Sequence, residues 1–377
     1  MTGLRGVTLA LAAALPVPIQ SGPGSPALGL ARAPFLDALA VPGGVPPLAA
    51  PGPVAELRAP GAPEPLIRAP EASSSLGRLF DGVSVRAEAA PALLMLGPRD
   101  EGFELLGFAR PYATRSQLRR IARRKPVTPQ GTRFVVVGDA EPGRFWWLRR
   151  FFGRPGVFEE HLRRVRGRAL DFVIQLGDMV SRGTPDRYAE FLLKLRKARL
   201  RVPYLTVLGN HDRSRPHRPS NASLYRMLFG SPDYLFDKGG VRFVVLDSSD
   251  GRLGRRRLEW LDRALEVPGR KIVFTHMPPR QLWAWTYGGL GGIRKGSRTF
   301  AGIVARRGVD RVYVGHVHGF GTADLQGVRY VLTGGGGSPL FPSGARERSY
   351  HHLRVEAGPD GVRETLVRLD GTEEPLP

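Results

Sequence analysis

Apolar and polar positions follow two alternating patterns from residue 133 onward. Short β-branched runs of the strand type are separated by stretches whose apolar residues recur at helical spacing. One helix is marked by Thr184-Pro185, an N-cap followed by proline, and by an apolar stripe over residues 188–195. Alternating strands and helices are typical of an α/β fold, and strand signals dominate the C-terminal part. The pattern therefore predicts a sandwich of two β-sheets flanked by helices.

The chain before residue 131 lacks this regular alternation. Residues 1–70 begin with a short apolar run and continue with Pro, Ala and Gly, a composition that cannot bury enough apolar surface to offset the entropy of ordering. We interpret them as a signal-like leader followed by a disordered segment. Residues 71–130 are predicted to form a small extension, with strand patches at 92–96 and 103–108 and a basic helix after Thr114. The main domain is expected over residues 131–375.

Five strand-like runs each end in a short polar group that can bind a metal. In an α/β sheet, ligands gather at the carboxyl ends of the strands, where loops converge on one crevice. A single ending of this kind is an ordinary loop, but five of them indicate one shared site. The groups are Gly138-Asp139, Gly177-Asp178, Gly209-Asn210-His211-Asp212, Thr275-His276 and Gly315-His316-Val317-His318.

These residue types indicate the metal chemistry. Mixed carboxylate and imidazole ligands suit borderline divalent ions such as Mn, Fe or Zn, and the chain has no cysteine for a thiolate site. The donors are too many for one tetrahedral ion. Two divalent metal ions that share a bridging carboxylate would use them all, and such a pair, about 3.5 to 4 Å apart, activates a hydroxide and clamps phosphate oxygens.

The five motifs, in this order, resemble those of the calcineurin-like metallophosphoesterases over about residues 131–340. The resemblance implies a four-layer α/β sandwich of two mixed β-sheets flanked by helices. It also implies an enzyme that hydrolyses a phosphate mono- or diester by attack of a hydroxide bridging two divalent metals. The implied metal ligands, with Asp178 as the bridge, are Asp139, Asp178, Asn210, His276, His316 and His318. His211 would protonate the leaving oxygen, Asp212 would orient its ring, and Arg182 would contact the phosphate.

One position departs from the pattern. Many members of the family have Asp-x-His in the first motif, whereas this chain has Asp139-Ala140-Glu141. Glu141 either replaces the histidine as an oxygen ligand, which would favour a harder metal such as Mn, or turns away and leaves the first metal weakly held. A degenerate domain that keeps the fold as a binding surface is a rival hypothesis, with Glu141 as its only support.

The formal charge of +22 bears on the partners. Six of the 56 basic residues are lysine and 50 are arginine, and they are scattered, so we favour composition bias over a nucleic-acid footprint. The basic run at 115–125 is interpreted as a solvated helix face. The expected substrate is a phosphorylated small molecule or phosphoprotein, and a metal-dependent nuclease is the less favoured alternative. No membrane span is expected, and the apolar run at the N-terminus favours export over a cytoplasmic location.

Overall fold

The computed structural model describes residues 101–141, 154–215, 221–286, 291–340 and 347–377. The expected leader, the Pro-rich segment and the strand patch at 92–96 lie outside these ranges. None of the helices within them has both the length and the apolar character required to cross a lipid bilayer.

Twelve strands within the described residues form two mixed six-stranded sheets. The first sheet has the order β12-β11-β10-β1-β2-β3 and the second has the order β4-β5-β6-β7-β9-β8. Strands β1 to β3 run parallel to one another, as do β5, β6, β7 and β9. The strands are β1 (Thr132–Val137), β2 (Phe172–Gln175), β3 (Tyr204–Thr206), β4 (Tyr234–Lys238), β5 (Val241–Leu246), β6 (Arg270–Thr275), β7 (Arg311–Val314), β8 (Phe320–Leu325), β9 (Val328–Thr333), β10 (His351–Gly358), β11 (Gly361–Arg368) and β12 (Glu373–Pro375).

Helices cover the outer face of each sheet, which gives four layers. Helices α1, α3, α4 and α5 share a core with the first sheet, and α6 and α7 share one with the second. Helix α2 lies beside β3 and β4, which are edge strands of the two sheets. The helices are α1 (Glu101–Ala109), α2 (Thr114–Arg123), α3 (Val157–Val165), α4 (Pro185–Ala198), α5 (Ser223–Phe229), α6 (Arg255–Ala264) and α7 (Ser297–Arg306).

Strand alternation decides which side chains join which core. In β1, Phe134 and Val136 face the second sheet, whereas Val135 and Val137 face the helices. Phe134 stacks on Phe172 with ring centroids 4.8 Å apart and meets Phe243 edge-on at 5.5 Å. These rings hold the two sheets face to face, and removing one such buried ring costs about 3 to 5 kcal/mol.

The predicted fold class, two mixed β-sheets flanked by helices, is confirmed. The strand prediction for residues 103–108 is wrong, because they lie inside helix α1. Leu105 and Ala109 are both buried in the core between the first sheet and its helices. They lie four residues apart, which is a helical spacing, but the continuous apolar run also fits a strand. The short edge strand β12, whose sequence Glu-Glu-Pro carries no strand signal, was not predicted.

A histidine pair lies buried between helix α3 and strand β10. The Nδ1 atoms of His161 and His352 are 3.1 Å apart, and Nε2 of His161 is 3.3 Å from the carbonyl oxygen of Gly335. Burial, together with the nearby charge of His351, lowers the pKa of His161 to about 3. The folded protein therefore keeps His161 neutral at pH values where an exposed histidine is protonated.

We expect His161→Gln to reduce the sensitivity of the fold to acid. The unfolded chain binds a proton at this position below its ordinary pKa of 6.5 and the folded chain does not, so stability is present above that value and is lost as pH falls towards about 3. Between about pH 7.5 and 5, wild type should lose roughly 2 kcal/mol more than the variant in free energy of unfolding, measured by urea denaturation. Equal losses would contradict a neutral, buried His161.

Candidate metal centre

The predicted ligands come from the carboxyl ends of five parallel strands in both sheets. Asp139, Asp178 and Asn210 follow β1, β2 and β3 of the first sheet, and His276 and His316 follow β6 and β7 of the second. Because the two sheets pack face to face, these strand ends meet at one edge of the sandwich.

Four of the predicted ligands converge on one point. The ligand atoms of Asp178, His276 and His316 all lie within 4.8 Å of one another. The Asn210 Oδ1 atom is 2.9 Å from His276 Nε2 and 2.8 Å from His316 Nδ1, and Asp178 Oδ2 is 3.3 Å from His276 Nε2. Two oxygens and two imidazole nitrogens therefore surround a space of the size that a single cation occupies.

The hydrogen bonds of His276 show why this group needs positive charge. Its Nδ1 donates to the carbonyl oxygen of Leu176 at 2.8 Å, so the lone pair of Nε2 faces the oxygens of Asn210 and Asp178. Burial lowers the pKa of His276, but the Asp178 carboxylate outweighs it and raises the pKa to about 9. The side chains around this point thus stabilise positive charge there, and a divalent cation fits the same donor set.

The orientation of the Asn210 amide agrees with a ligand role. Its oxygen faces the two imidazoles, whereas its buried Nδ2 has no hydrogen-bond partner among the residues that the structure describes. An amide that served only packing would place its N–H groups against the imidazole lone pairs. Burying Nδ2 without a hydrogen bond costs free energy, and this cost is offset if Asn210 Oδ1 binds a cation.

Asp139 and His318 form a second group beside the first. His318 Nε2 is 3.9 Å from Asp139 Oδ1, and its Nδ1 donates to the carbonyl oxygen of Pro339 at 2.8 Å. Both carboxylate oxygens of Asp139 accept the backbone N–H of His316 at 3.0 Å. Burial raises the pKa of Asp139 well above its usual range, and the carboxylate of Asp178 raises it further. An acidic oxygen and an imidazole nitrogen are thus available for a second cation.

Positive φ angles at two of the predicted ligands turn the chain into the site. Asp178 has φ 48° and His316 has φ 69°. The other non-glycine residues with positive φ in the described part of the chain, Arg199 and Gln326, lie at a helix end and in a hairpin. The N–H of Val317 donates to the carbonyl oxygen of Gly315 at 2.8 Å and closes a tight turn centred on His316. This turn breaks strand alternation, so that His316 and His318 both reach the site.

A glycine permits two of the strand ends to approach closely. A Cβ atom at Gly209 would lie 2.1 Å from the backbone nitrogen of Asp178 and 2.2 Å from its Oδ1. No side chain fits there, so the Gly-Asn-His-Asp loop can lie against Asp178 only with glycine at this position.

The predicted acid His211 lies next to this group and is half-buried. Its backbone N–H donates to Asp178 Oδ1 at 2.8 Å, and its ring Nδ1 lies 3.1 Å from the carbonyl oxygen of Ser181. Because a carbonyl only accepts, Nδ1 carries hydrogen and Nε2 remains for exchange with a substrate. Burial lowers the pKa of His211, but the carboxylates of Asp178 and Glu141 outweigh it, and the net shift is upward.

The Asp212 carboxylate, which we expected to orient the His211 ring, accepts hydrogen bonds from three backbone N–H groups. Its Oδ1 accepts the N–H groups of Met179 and Val180 at 2.8 and 3.2 Å, and its Oδ2 accepts that of Gly209 at 2.8 Å. The Nδ1 atom of the His211 ring lies against the Ser181 carbonyl oxygen, and orientation of this ring by Asp212 stays a prediction. Asp212 joins the second motif to the third.

Glu141 and Arg182 occupy different environments. Glu141 is buried, and its charge raises the pKa of both Asp139 and His211. Whether its carboxylate binds a metal or turns away stays a prediction. It is not part of the tight group of Asp178, His276 and His316. Arg182 is exposed, and its Nε donates to the carbonyl oxygen of Ser214 at 3.0 Å. A role of Arg182 in phosphate binding stays a prediction.

Known proteins resemble this chain in sequence and in fold. The sequence profile described as calcineurin-like phosphoesterase matches residues 132–320, which are 189 of the 377 residues. The chain belongs to the calcineurin-like phosphoesterase family.

Two curated relatives match parts of this chain. A probable cyclic nucleotide phosphodiesterase of Rhodococcus erythropolis is 28% identical over 173 residues, which cover 42% of this chain and 54% of the relative. The serine/threonine-protein phosphatase CPPED1 of Bos taurus is 30% identical over 89 residues, 20% of this chain and 28% of the relative. The chain thus spans about half or less of the length of these relatives.

A solved structure shares the fold of this chain. The purple acid phosphatase PPD1 from yellow lupin (Lupinus luteus) superimposes with a TM-score of 0.54 and 17% sequence identity, over 67% of this chain and 54% of that one. At this level of identity the likeness concerns the fold alone.

The structure also reveals a supporting residue that the sequence did not indicate. Ser248 is fully buried just after β5, and its Oγ accepts the N–H of Met277 at 2.8 Å. The same Oγ lies 2.8 Å from Oγ1 of Thr275, so Ser248 contacts the residues on both sides of His276. The sequence does not indicate this role of Ser248, because its partners Thr275 and Met277 are 27 and 29 residues away and belong to another strand and its loop.

We expect Ser248→Ala to weaken metal binding by about 10- to 100-fold, because the loss of an outer hydrogen bond frees the His276 loop. Titration calorimetry with Mn²⁺ on metal-free protein measures the effect. Ser223→Ala, an exposed serine at the start of α5, is the matched control and should bind as wild type does. Unchanged Mn²⁺ affinity in a folded Ser248→Ala protein would exclude this supporting role.

Proposed function

We propose that this chain is a metal-dependent hydrolase of phosphate esters that works with two divalent cations. The observation that carries the proposal is the convergence of Asp178, Asn210, His276 and His316 on one point, with the Asp139 and His318 pair beside it. Mixed oxygen and nitrogen donors without thiolate suit Mn, Fe or Zn. When bound, such a pair supplies Lewis-acid activation of water and neutralises phosphate charge.

The position of Asp178 supports its assignment as the residue shared by both cations. Its Oδ2 faces His276, and its negative charge also raises the pKa of Asp139, so it lies near both donor groups. The N–H of His211 holds its Oδ1. Asp139 and His318 would then hold the first cation, with Glu141 close by, and Asn210, His276 and His316 would hold the second.

His211 is proposed as the general acid. Two features support this role: its ring is half-buried beside Asp178, and the nearby carboxylates of Asp178 and Glu141 raise its pKa despite burial, which favours the acid form. The Ser181 carbonyl fixes the hydrogen on Nδ1, so the proton on Nε2 is the one that passes to the leaving oxygen. Asp212 acts indirectly, since it positions the loop that carries His211.

The substrate is proposed as a phosphate mono- or diester. One relative is named as a cyclic nucleotide phosphodiesterase and the other as a protein phosphatase, so the names point to both ester classes. Paired chromogenic monoester and diester substrates therefore form the first assay.

We expect His211→Ala to retain its metals and to lose about 10²- to 10⁴-fold in rate, the usual contribution of a positioned acid. The loss should be largest for substrates with poor leaving groups, which depend on protonation. In wild type, activity should fall as pH rises through the pKa of His211, since the acid form is required, and this alkaline limb should vanish in the variant. Equal rates for the two proteins on a poor leaving group would remove His211 from the mechanism.

We expect Asp178→Asn to lower the metal content below that of wild type and to abolish most of the activity, because an amide is a weaker bridging ligand than a carboxylate. Elemental analysis of purified protein gives the number of ions per chain. Asp324→Asn, an exposed aspartate in β8, is the control and should match wild type. A wild-type metal content in Asp178→Asn would overturn the two-cation assignment.

A further inference from the structure

Two stretches of the chain are rich in arginine and contain no acidic residue. Residues 110–125 carry seven basic side chains and residues 196–201 carry four, which gives eleven, of which nine are arginine. The sequence alone presents them as separate runs, each of which is an ordinary solvated face.

The fold joins these two stretches into one surface, here called the basic surface. Arg120 Nη2 and Arg124 Nη1 donate to the carbonyl oxygen of Arg201 at 3.1 and 3.3 Å. The Gln117 side chain accepts the N–H of Tyr204 at 2.8 Å, which fixes helix α2 against β3. The two runs are therefore held together by specific contacts.

The basic surface is not neutralised by carboxylates. None of its eleven basic side chains forms an ion pair with any residue in the described ranges. Elsewhere, Arg257, Arg307 and Arg368 are each paired with two carboxylates. Burial lowers the pKa of Arg120, and the like charge of Arg124 lowers it further, which shows how closely these cations are crowded. Such crowding costs free energy that a polyanion would recover.

The basic surface lies away from the candidate metal centre. Its contacts with the first sheet are at Arg201 and Tyr204, at the amino end of β3. The metal-ligand candidate Asn210 follows the carboxyl end of the same strand. An anion bound at the basic surface is therefore held outside the catalytic site.

We propose that the basic surface docks the phosphate backbone of a nucleic acid. Guanidinium groups match phosphate geometry with two parallel hydrogen bonds, and nine of the eleven cations are arginine. Arg115, Arg119 and Arg123 are exposed and recur every four residues, so they line one face of α2. The exposed large apolar residues of the described part, Met227 and Trp283, lie outside both stretches, so the surface lacks the apolar anchor of a membrane-binding helix.

Binding of the full chain to a labelled DNA duplex, followed by fluorescence anisotropy at several salt concentrations, tests the proposal. A triple variant, Arg115→Gln, Arg119→Gln and Arg123→Gln, should lose at least tenfold in affinity. The slope of log K against log salt should become shallower by about 2 to 3, since each phosphate contact contributes about 0.9. A gel confirms that the duplex stays intact, and hydrolysis of a small chromogenic ester should be unchanged, which separates this test from that of the proposed function.

The matched control removes the same charge from the helices that cover the second sheet, with Arg256→Gln, Arg263→Gln and Arg298→Gln, exposed positions on α6 and α7. It should bind DNA within about twofold of wild type. Equal loss in both variants would mean that net charge alone drives binding and would overturn the proposal. The proposal would also be overturned if the wild-type protein bound no duplex. The same holds if the triple variant lost binding to phosphatidylserine vesicles but bound DNA as tightly as wild type does.

Discussion

Burying the carboxylates of Asp139 and Asp178 carries a high electrostatic cost, and the surrounding structure is arranged to offset it. Backbone N–H groups of His316 and His211 donate to them, and the imidazoles of His276 and His318 lie close to their oxygens. The positive φ angles at Asp178 and His316 bring these donors and acceptors together and are strained for non-glycine residues. Such strained backbone persists only where many surrounding contacts fix it. Here the contacts come from both sheets.

The two sheets act as a rigid frame for this arrangement. The aromatic cluster around Phe134, Phe172 and Phe243 sets the separation between the sheets. The parallel strands of each sheet then deliver their carboxyl ends to the same edge. Outer hydrogen bonds from Asp212 and Ser248 tie neighbouring loops to one another, so the donor atoms keep their positions without relying on loop rigidity alone.

Much of the fold and the membership of the site could be predicted because the signals are local. β-branched runs, the Thr184-Pro185 helix start and the polar endings are all visible within a few residues. The failures arise where the decisive contact is distant. Residues 103–108 carry an apolar run that fits either element, and packing against the first sheet selects the helix. The roles of Asp212 and Ser248, and the joining of two basic runs, depend on tertiary contacts that no spacing encodes.

The donor atoms of the candidate centre are spread from Asp139 to His318 and belong to strands of both sheets. No short peptide excised from the chain contains them, so affinity for a cation would exist only in the assembled sandwich. A bound cation would then link the two sheets. By mass action, the free energy of unfolding would rise with the concentration of free metal.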